Sequence, residues 1–361
     1  MRLGVEAALV DGALVPGDVD LVDGVVGGVA LGRAGKGIAV PGFVDLQVNG
    51  FAGVDFSSTD LDGYRGAGEA LLATGVTAFQ PTFVTAPEEE LVAALAQVPK
   101  DGIGPRVLGA HLEGPFISPH ALGAHPASAQ RDPDPDLLER LLAAGPVAHV
   151  TLAPELPGAL DLIDLLCERD IAVSLGHSNA TAAEAHAGYD RGARTVTHLF
   201  NAMRRFGHRD PGLAGVSLAR EDVVVQLILD GHHVADEVAQ VVWRAAAGRV
   251  ALVTDAIEAA GIGDGQYRLG SIDVEVTDGV VRRPDGVLAG SVVTMLESVR
   301  NLHALGAPLA GALAAASAVP ARVSGRDLGR LAPGGPADVL ILDDRLDLRA
   351  VFVGGKERIA A

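Results

Sequence analysis

Eight short apolar runs, each ending in polar or reactive side chains, recur along the chain. In order they read IAVPGFVDLQVNG, GVTAFQPTFVT, RVLGAHLEGPF, VAHVTLAPEL, IAVSLGHSNAT, RTVTHLFNAM, VVVQLILDGHHV and VALVTDAIEAA. Between most of them lie segments rich in Ala, Leu and Glu, at residues 88–98, 136–144, 158–169, 181–191 and 235–247, whose apolar positions keep helical spacing. Several of these open on a capping residue: Ser178, Asn179 or Thr181 precedes the segment that holds Glu184. Strand–helix alternation repeated about eight times predicts an α/β fold, a closed (β/α)8 TIM-like barrel. An open doubly wound sheet is the competitor, but it gives no reason for all eight runs to end in chemically active residues. In a barrel those ends converge on one face.

The flanks read differently. Residues 1–39 are rich in Val and Gly with turn signals at Asp11-Gly12 and Asp23-Gly24, and the tail ADVLILDDRLDLRAVFVGGKERIA alternates in the same way. Both chain ends are therefore expected to build one small β-sandwich domain, 1–39 plus 328–361, beside a barrel over 40–327. The segment IDVEVTDGVVRRPDGVLAGS, residues 272–291, reads as a hairpin inserted after the eighth run, with Asp278-Gly279 as its turn.

Charge narrows the partners. A formal net charge of −18 on 361 residues argues against a broad nucleic-acid or anionic-membrane surface. It leaves room for a small anionic ligand at a locally cationic pocket. Cys167 is the single cysteine, so no intrachain disulfide is possible and a reducing compartment is the natural reading. The N-terminal MRLGVEAALVDGALV is interrupted by Glu6, Asp11 and Gly12 and makes neither a secretory segment nor a membrane span. A cytoplasmic location is expected.

Glu113 closes the apolar stretch VLGAHLEGPF, where an unpaired charge is expensive. It shares its position with three other residues: Glu113, His177, His198 and Asp255 sit at the ends of the third, fifth, sixth and eighth runs. One glutamate and two neutral imidazoles suit Zn²⁺ or Fe²⁺ and leave a position open for water. Singly, each has a structural explanation, since strand-end histidines are often hydrogen-bonded supports and strand-end aspartates cap helices. Four at equivalent barrel positions point instead to one divalent ion per subunit, zinc before iron. His111, two residues before Glu113, faces the same way and is the reserve ligand, with a supporting role favoured. His149, His186 and His208 read as structural or surface residues.

The motifs PGFVDLQVNG, HLEGPF, TLAPE, GHSNAT, THLFNAM, PGLAG, DGHHV, LVTDA and LAGSVVTM, in this order, resemble the N-acetylglucosamine-6-phosphate deacetylase family of the amidohydrolase superfamily. The resemblance spans essentially the whole chain. It implies a barrel with a flanking β-sandwich, a homodimer, and release of acetate from the 2-acetamido group of a phosphorylated amino sugar, in amino-sugar catabolism or cell-wall recycling. Asp255 would take a proton from water and deliver it to the departing amine. His125, in GAHPAS, matches the residue that polarises the amide carbonyl, although alone it reads as a mobile surface histidine. Asn201, the backbone of Ala202, His233 and Arg209 are implied at the phosphate, with Arg209 reaching in from the partner subunit. Asp230, Gly231, Leu288, Ala289 and Gly290 would line the sugar, and Ala124 and His232 complete the substrate-binding set.

Many amidohydrolases carry His-x-His on the first strand to hold a second metal, where this chain has Gln47-Val48-Asn49. Neutral amides are poor ligands beside imidazole. Paired-metal members often bridge the ions with a carboxylated lysine, and the lysines here, Lys36, Lys100 and Lys356, lie at no barrel strand end. A single-metal centre is expected. Two other readings stay open: a related amidohydrolase acting on another N-acylated amino sugar such as N-acetylgalactosamine 6-phosphate, and a non-catalytic sugar-phosphate-binding barrel.

Overall fold

The computed structural model describes residues 1–100 and 102–360. Ala361, the last residue of the expected C-terminal contribution, lies outside the described residues. Eight parallel strands form the centre: β1 Phe43–Val48, β2 Val76–Val84, β3 Ala110–Glu113, β4 Val147–Leu152, β5 Ala172–Leu175, β6 Thr195–Val196, β7 Val224–Leu227 and β8 Val250–Leu252. Each pairs with the next, and the ring closes just beyond β8, where the Asp255 N–H donates to the Gln47 carbonyl at 2.9 Å. The competing open sheet is thereby excluded.

The helices follow from amphipathic spacing and caps. Thr181, of the three candidate caps, opens helix Ala182–Asp190 in a reciprocal capping box with Glu184. The helices Pro135–Ala144 and Ala159–Cys167 bury Leu138, Leu141, Leu162 and Leu166 in one core with Leu112, Val150, Val173 and Val196 from the strands. Among the described residues, no helix is long and apolar enough to cross a membrane.

The lumen is unusual. Barrel interiors are generally filled by Val, Ile and Leu, but here Gln80, Thr82, His111, His149, Thr151, Ser174, Thr195, Thr197 and Gln226 are all buried on or beside the strands. Thr151 on β4 meets Thr197 beyond β6 at 2.7 Å, although β5 lies between them. Only side chains pointing into the lumen can meet in this way.

Both chain ends share one six-stranded sheet. Ala13–Pro16, Ala7–Val10 and Ile38–Pro41 come from the N-terminal part, and Val339–Leu342, Leu348–Val353 and Lys356–Ala360 from the C-terminal part. The hairpin Asp18–Val22/Val25–Leu31 packs on it through Val19, Leu21 and Val26 against Ala39, Val339 and Phe352. Gly42 joins this sheet to β1 at a close approach: a Cβ there would lie 2.0 Å from Thr77 Oγ1 and 2.7 Å from Thr77 Cβ. Gly42→Ala is expected to destabilise the protein by about 1–3 kcal/mol through overpacking, read as a lowered denaturation midpoint with an unchanged m-value.

After β8 the inserted segment is a three-stranded sheet, Gly265–Leu269, Ile272–Thr277 and Val280–Arg282, so it begins earlier than the two-stranded hairpin expected at 272–291. Residues 283–290 continue as a loop rather than a strand. Asp278 and Gly279 form the expected turn with φ of 51° and 74°, the two positive values that a tight hairpin of this hand needs. Leu269, Val274, Val276 and Val281 pack against Val84, Ala124 and Ile257. The insert thus lies against the C-terminal mouth of the barrel.

Candidate active site

At that mouth Glu113, His177, His198 and Asp255 converge, all buried. Glu113 Oε1 lies 3.2 Å from His177 Nε2 and 2.9 Å from His198 Nε2, and the two imidazole nitrogens are 3.2 Å apart. Ligand atoms about 2.0–2.1 Å from a tetrahedral ion are themselves roughly 3.3 Å apart, so the spacing fits. A single proton can bridge only two of these three atoms, whereas a divalent cation can meet all three. The backbone bends sharply where the strands end: φ is 46° at His177, 26° at His198 and 50° at Asp255. Left-handed conformations at residues other than glycine cost about 1–3 kcal/mol each and gather at functional sites.

Hydrogen bonds sort the imidazoles. His177 Nδ1 lies 3.0 Å from the Ala121 carbonyl, which can only accept, so Nδ1 carries the proton and the Nε2 lone pair is left facing Glu113. Burial, with the neighbouring His125, pulls its pKa down to about 4, keeping the ring neutral as a ligand must be. His125 also stands close enough to Glu113 and His177 to join a metal-binding group. Its Nδ1, however, accepts from the Thr85 backbone N–H at 3.2 Å, so the proton sits on Nε2, which points at Glu113 Oε2 3.4 Å away. An N–H there is a donor and not a ligand. His198 Nδ1 is buried without a hydrogen-bond partner among the described residues. Burial would raise the Glu113 carboxyl, but His125, His177 and His198 together hold it well below the usual carboxylate range.

Gln47 and Asn49, set aside as poor ligands, prove to be central. The Gln47 amide donates to Glu113 Oε1 at 3.0 Å and to Asp255 Oδ1 at 3.1 Å, and the Asn49 amide donates to the same Asp255 oxygen at 2.7 Å. Neutral donors thus stand between the two carboxylates, where a second cation would otherwise offset their repulsion. Asp255 still feels burial and the Glu113 charge, which raise its pKa to about 6. The lumen histidines are not ligands in this arrangement: His111 bonds to Thr151 at 2.7 Å and stacks on His149.

A cavity of about 270 Å³ opens over this cluster. Of the residues expected at the substrate, Ala124, His125, Asn201, Ala202, His233, Leu288, Ala289 and Gly290 line it. Asp230, Gly231, His232 and Arg209 do not. Asp230 is committed to its neighbour, with Oδ2 2.7 Å from His233 Nδ1 and Oδ1 accepting the His232 and His233 N–H groups; against the opposing pull of burial, these contacts hold it at about 2. Gly231, His232 and Arg209 are exposed. Arg282 lines the cavity and was not anticipated, because an arginine on a polar hairpin carries no sequence signal of its own.

A closed parallel barrel gathering a carboxylate, two ligand-competent imidazoles and a second carboxylate at its C-terminal mouth defines a metal-dependent hydrolase. The profile described as "Amidohydrolase family" matches residues 38–359. The chain is 42% identical over 344 residues to the N-acetylglucosamine-6-phosphate deacetylase of Homo sapiens, covering 89% of this chain and 83% of the human one. It is 38% identical over 325 residues to an N-acetylgalactosamine-6-phosphate deacetylase of Escherichia coli, covering 88% of this chain and 86% of that protein. The crystal structure of a mutant N-acetyl-D-glucosamine-6-phosphate deacetylase from Mycobacterium smegmatis, in complex with N-acetyl-D-glucosamine-6-phosphate, superposes with a TM-score of 0.95 at 35% identity, covering 100% and 99% of the two chains. The chain belongs to the amidohydrolase family and, within it, to the N-acetylglucosamine-6-phosphate deacetylases.

Proposed function

We propose that the protein hydrolyses N-acetylglucosamine 6-phosphate to glucosamine 6-phosphate and acetate, using one divalent ion held by Glu113, His177 and His198, with zinc as the ion and iron(II) as the alternative. The observation that supports this best is the gathering of those three atoms 2.9–3.2 Å apart beside Asp255, under a cavity of sugar size. When bound, the ion supplies Lewis acidity that brings the pKa of water from 15.7 down to about 7. Asp255 takes the proton from the attacking water and returns it to the amine as the C–N bond breaks. The His125 Nε2–H donates to the carbonyl oxygen as it gains negative charge. The amide is thereby split into acetate and the free amino sugar, with one water consumed.

Asn201, the Ala202 backbone and His233 take the phosphate, joined by Arg209 from a second subunit; a partner's contribution suits a side chain that stands exposed on its own chain. Ala124, Leu288, Ala289 and Gly290 serve the sugar, while Asp230 acts at the phosphate by orienting His233. A homodimer in a reducing, cytoplasmic setting suits this reading, and Cys167 is free.

The relative acting on the galactosamine epimer makes epimer choice the second reading. Acetate release should be measured from both N-acetylhexosamines, with and without the 6-phosphate, after metal reconstitution. The expected order places N-acetylglucosamine 6-phosphate first in kcat/KM; a higher value for the galactosamine epimer would transfer the assignment to that sugar. Arg209→Ala is expected to raise KM for the phosphorylated sugar by roughly 10-fold or more, as the loss of a charge-assisted bond implies. An unchanged KM would remove Arg209 from the phosphate site.

A further inference from the structure

We propose that His111, Thr151, Thr197 and Ser174 form a positioning chain that sets the spacing of Glu113, His177 and His198, and so the affinity of the site for its metal; this rests on the metal reading above. His111 Nε2 lies 2.7 Å from Thr151 Oγ1, Thr151 Oγ1 lies 2.7 Å from Thr197 Oγ1, and the Thr197 hydroxyl donates to Ser174 Oγ at 2.6 Å. Linked polar groups in a low-dielectric interior strengthen one another, and the other ring nitrogen of His111, Nδ1, lies 3.4 Å from Thr82 Oγ1. All four residues have no exposed surface. His111 is held further by stacking on His149, with ring centroids 4.2 Å apart, and His149 Nδ1 lies 3.0 Å from Gln80 Oε1.

This chain sits at the root of every ligand. His111 precedes Glu113 by two residues on the same strand. Thr197 immediately precedes His198. Gly176 immediately precedes His177, and a Cβ on it would lie 2.8 Å from both Thr151 Cγ2 and Thr197 Cβ, so the backbone carrying His177 rests directly on the two threonines. None of the four lines the substrate cavity. Their role is therefore to position the ligands, since they cannot touch the reacting atoms.

Thr151→Val, Thr151→Ser and Ser174→Ala in the full chain test this. The readouts are the zinc dissociation constant by chelator competition, the visible spectrum of the cobalt(II)-substituted protein, and melting of the metal-free protein as a check on folding. Thr151→Val keeps the shape of the side chain but cuts the chain at its middle. It is expected to weaken zinc binding about 10–100-fold and to shift the cobalt bands, with Thr151→Ser restoring both. Wild-type zinc binding with a Thr151→Val constant within about twofold of it, and an unchanged cobalt spectrum, overturns the chain while leaving the metal reading intact. A wild-type protein that binds no zinc overturns both. Should Thr151→Val not fold, Ser174→Ala removes the final acceptor and decides the matter: weakened zinc binding supports the chain, and unchanged binding overturns it.

Discussion

Asp255→Asn is expected to retain its metal and to turn over N-acetylglucosamine 6-phosphate about 10²–10⁴-fold more slowly than the parent protein. The three atoms proposed as ligands are untouched by the change, which is why metal content should hold. The buried Asp255 side chain accepts both of its amide hydrogen bonds, from Gln47 and Asn49, on Oδ1, leaving Oδ2 as the oxygen for a water proton. An amide cannot take that proton. The pH dependence follows with a definite sign. Burial and the Glu113 charge place the carboxyl at about 6, and only its ionised form can act as a base. Thus kcat/KM falls as the pH drops through this region, and a bound cation moves the fall to lower pH by favouring the carboxylate. In Asp255→Asn that acid limb should flatten. Turnover within about tenfold of the parent would remove Asp255 from the role.

Glu113→Gln, or removal of the metal by chelation, is the other large effect. Glu113 is the one anionic group among the three proposed ligands, and Gln offers an amide in its place. Metal content and acetate release should both fall to the level of chelator-treated parent protein. Zinc that binds only the folded chain stabilises it by about 4 kcal/mol at a free concentration 1,000 times its dissociation constant. Adding zinc to the stripped parent should therefore raise its melting temperature, whereas Glu113→Gln should not respond. An equal rise in both proteins would place the ion elsewhere.

Much of this site is legible in the sequence. Glu113, His177, His198 and Asp255 could be found because a barrel makes strand ends equivalent, and charge or imidazole at the end of an apolar run is costly without a partner. Thr181 as a cap was one of three choices, decided only by the geometry that lets Glu184 close the box. The service of Gln47 was illegible for a physical reason. Its amide joins carboxylates 66 and 208 positions away, and nothing local distinguishes it from neutral filler. The threonines of the lumen are silent in the same way, since Thr151 and Thr197 look like ordinary strand residues until ring closure aligns them. His125 was legible only through family resemblance, because its tautomer depends on the Thr85 backbone N–H, 40 positions away. The first strand of the insert, Gly265–Leu269, too, emerges only when Leu269 packs with Val274 and Val276 beside the mouth.

The most direct measurement of the central claim is diffraction at the zinc absorption edge from crystals of the zinc-reconstituted protein. The predicted result is one anomalous peak per chain, about 2.0–2.2 Å from Glu113 oxygen and from His177 and His198 Nε2. Active crystals with no peak among those three atoms, or with the peak held by other residues, would contradict it.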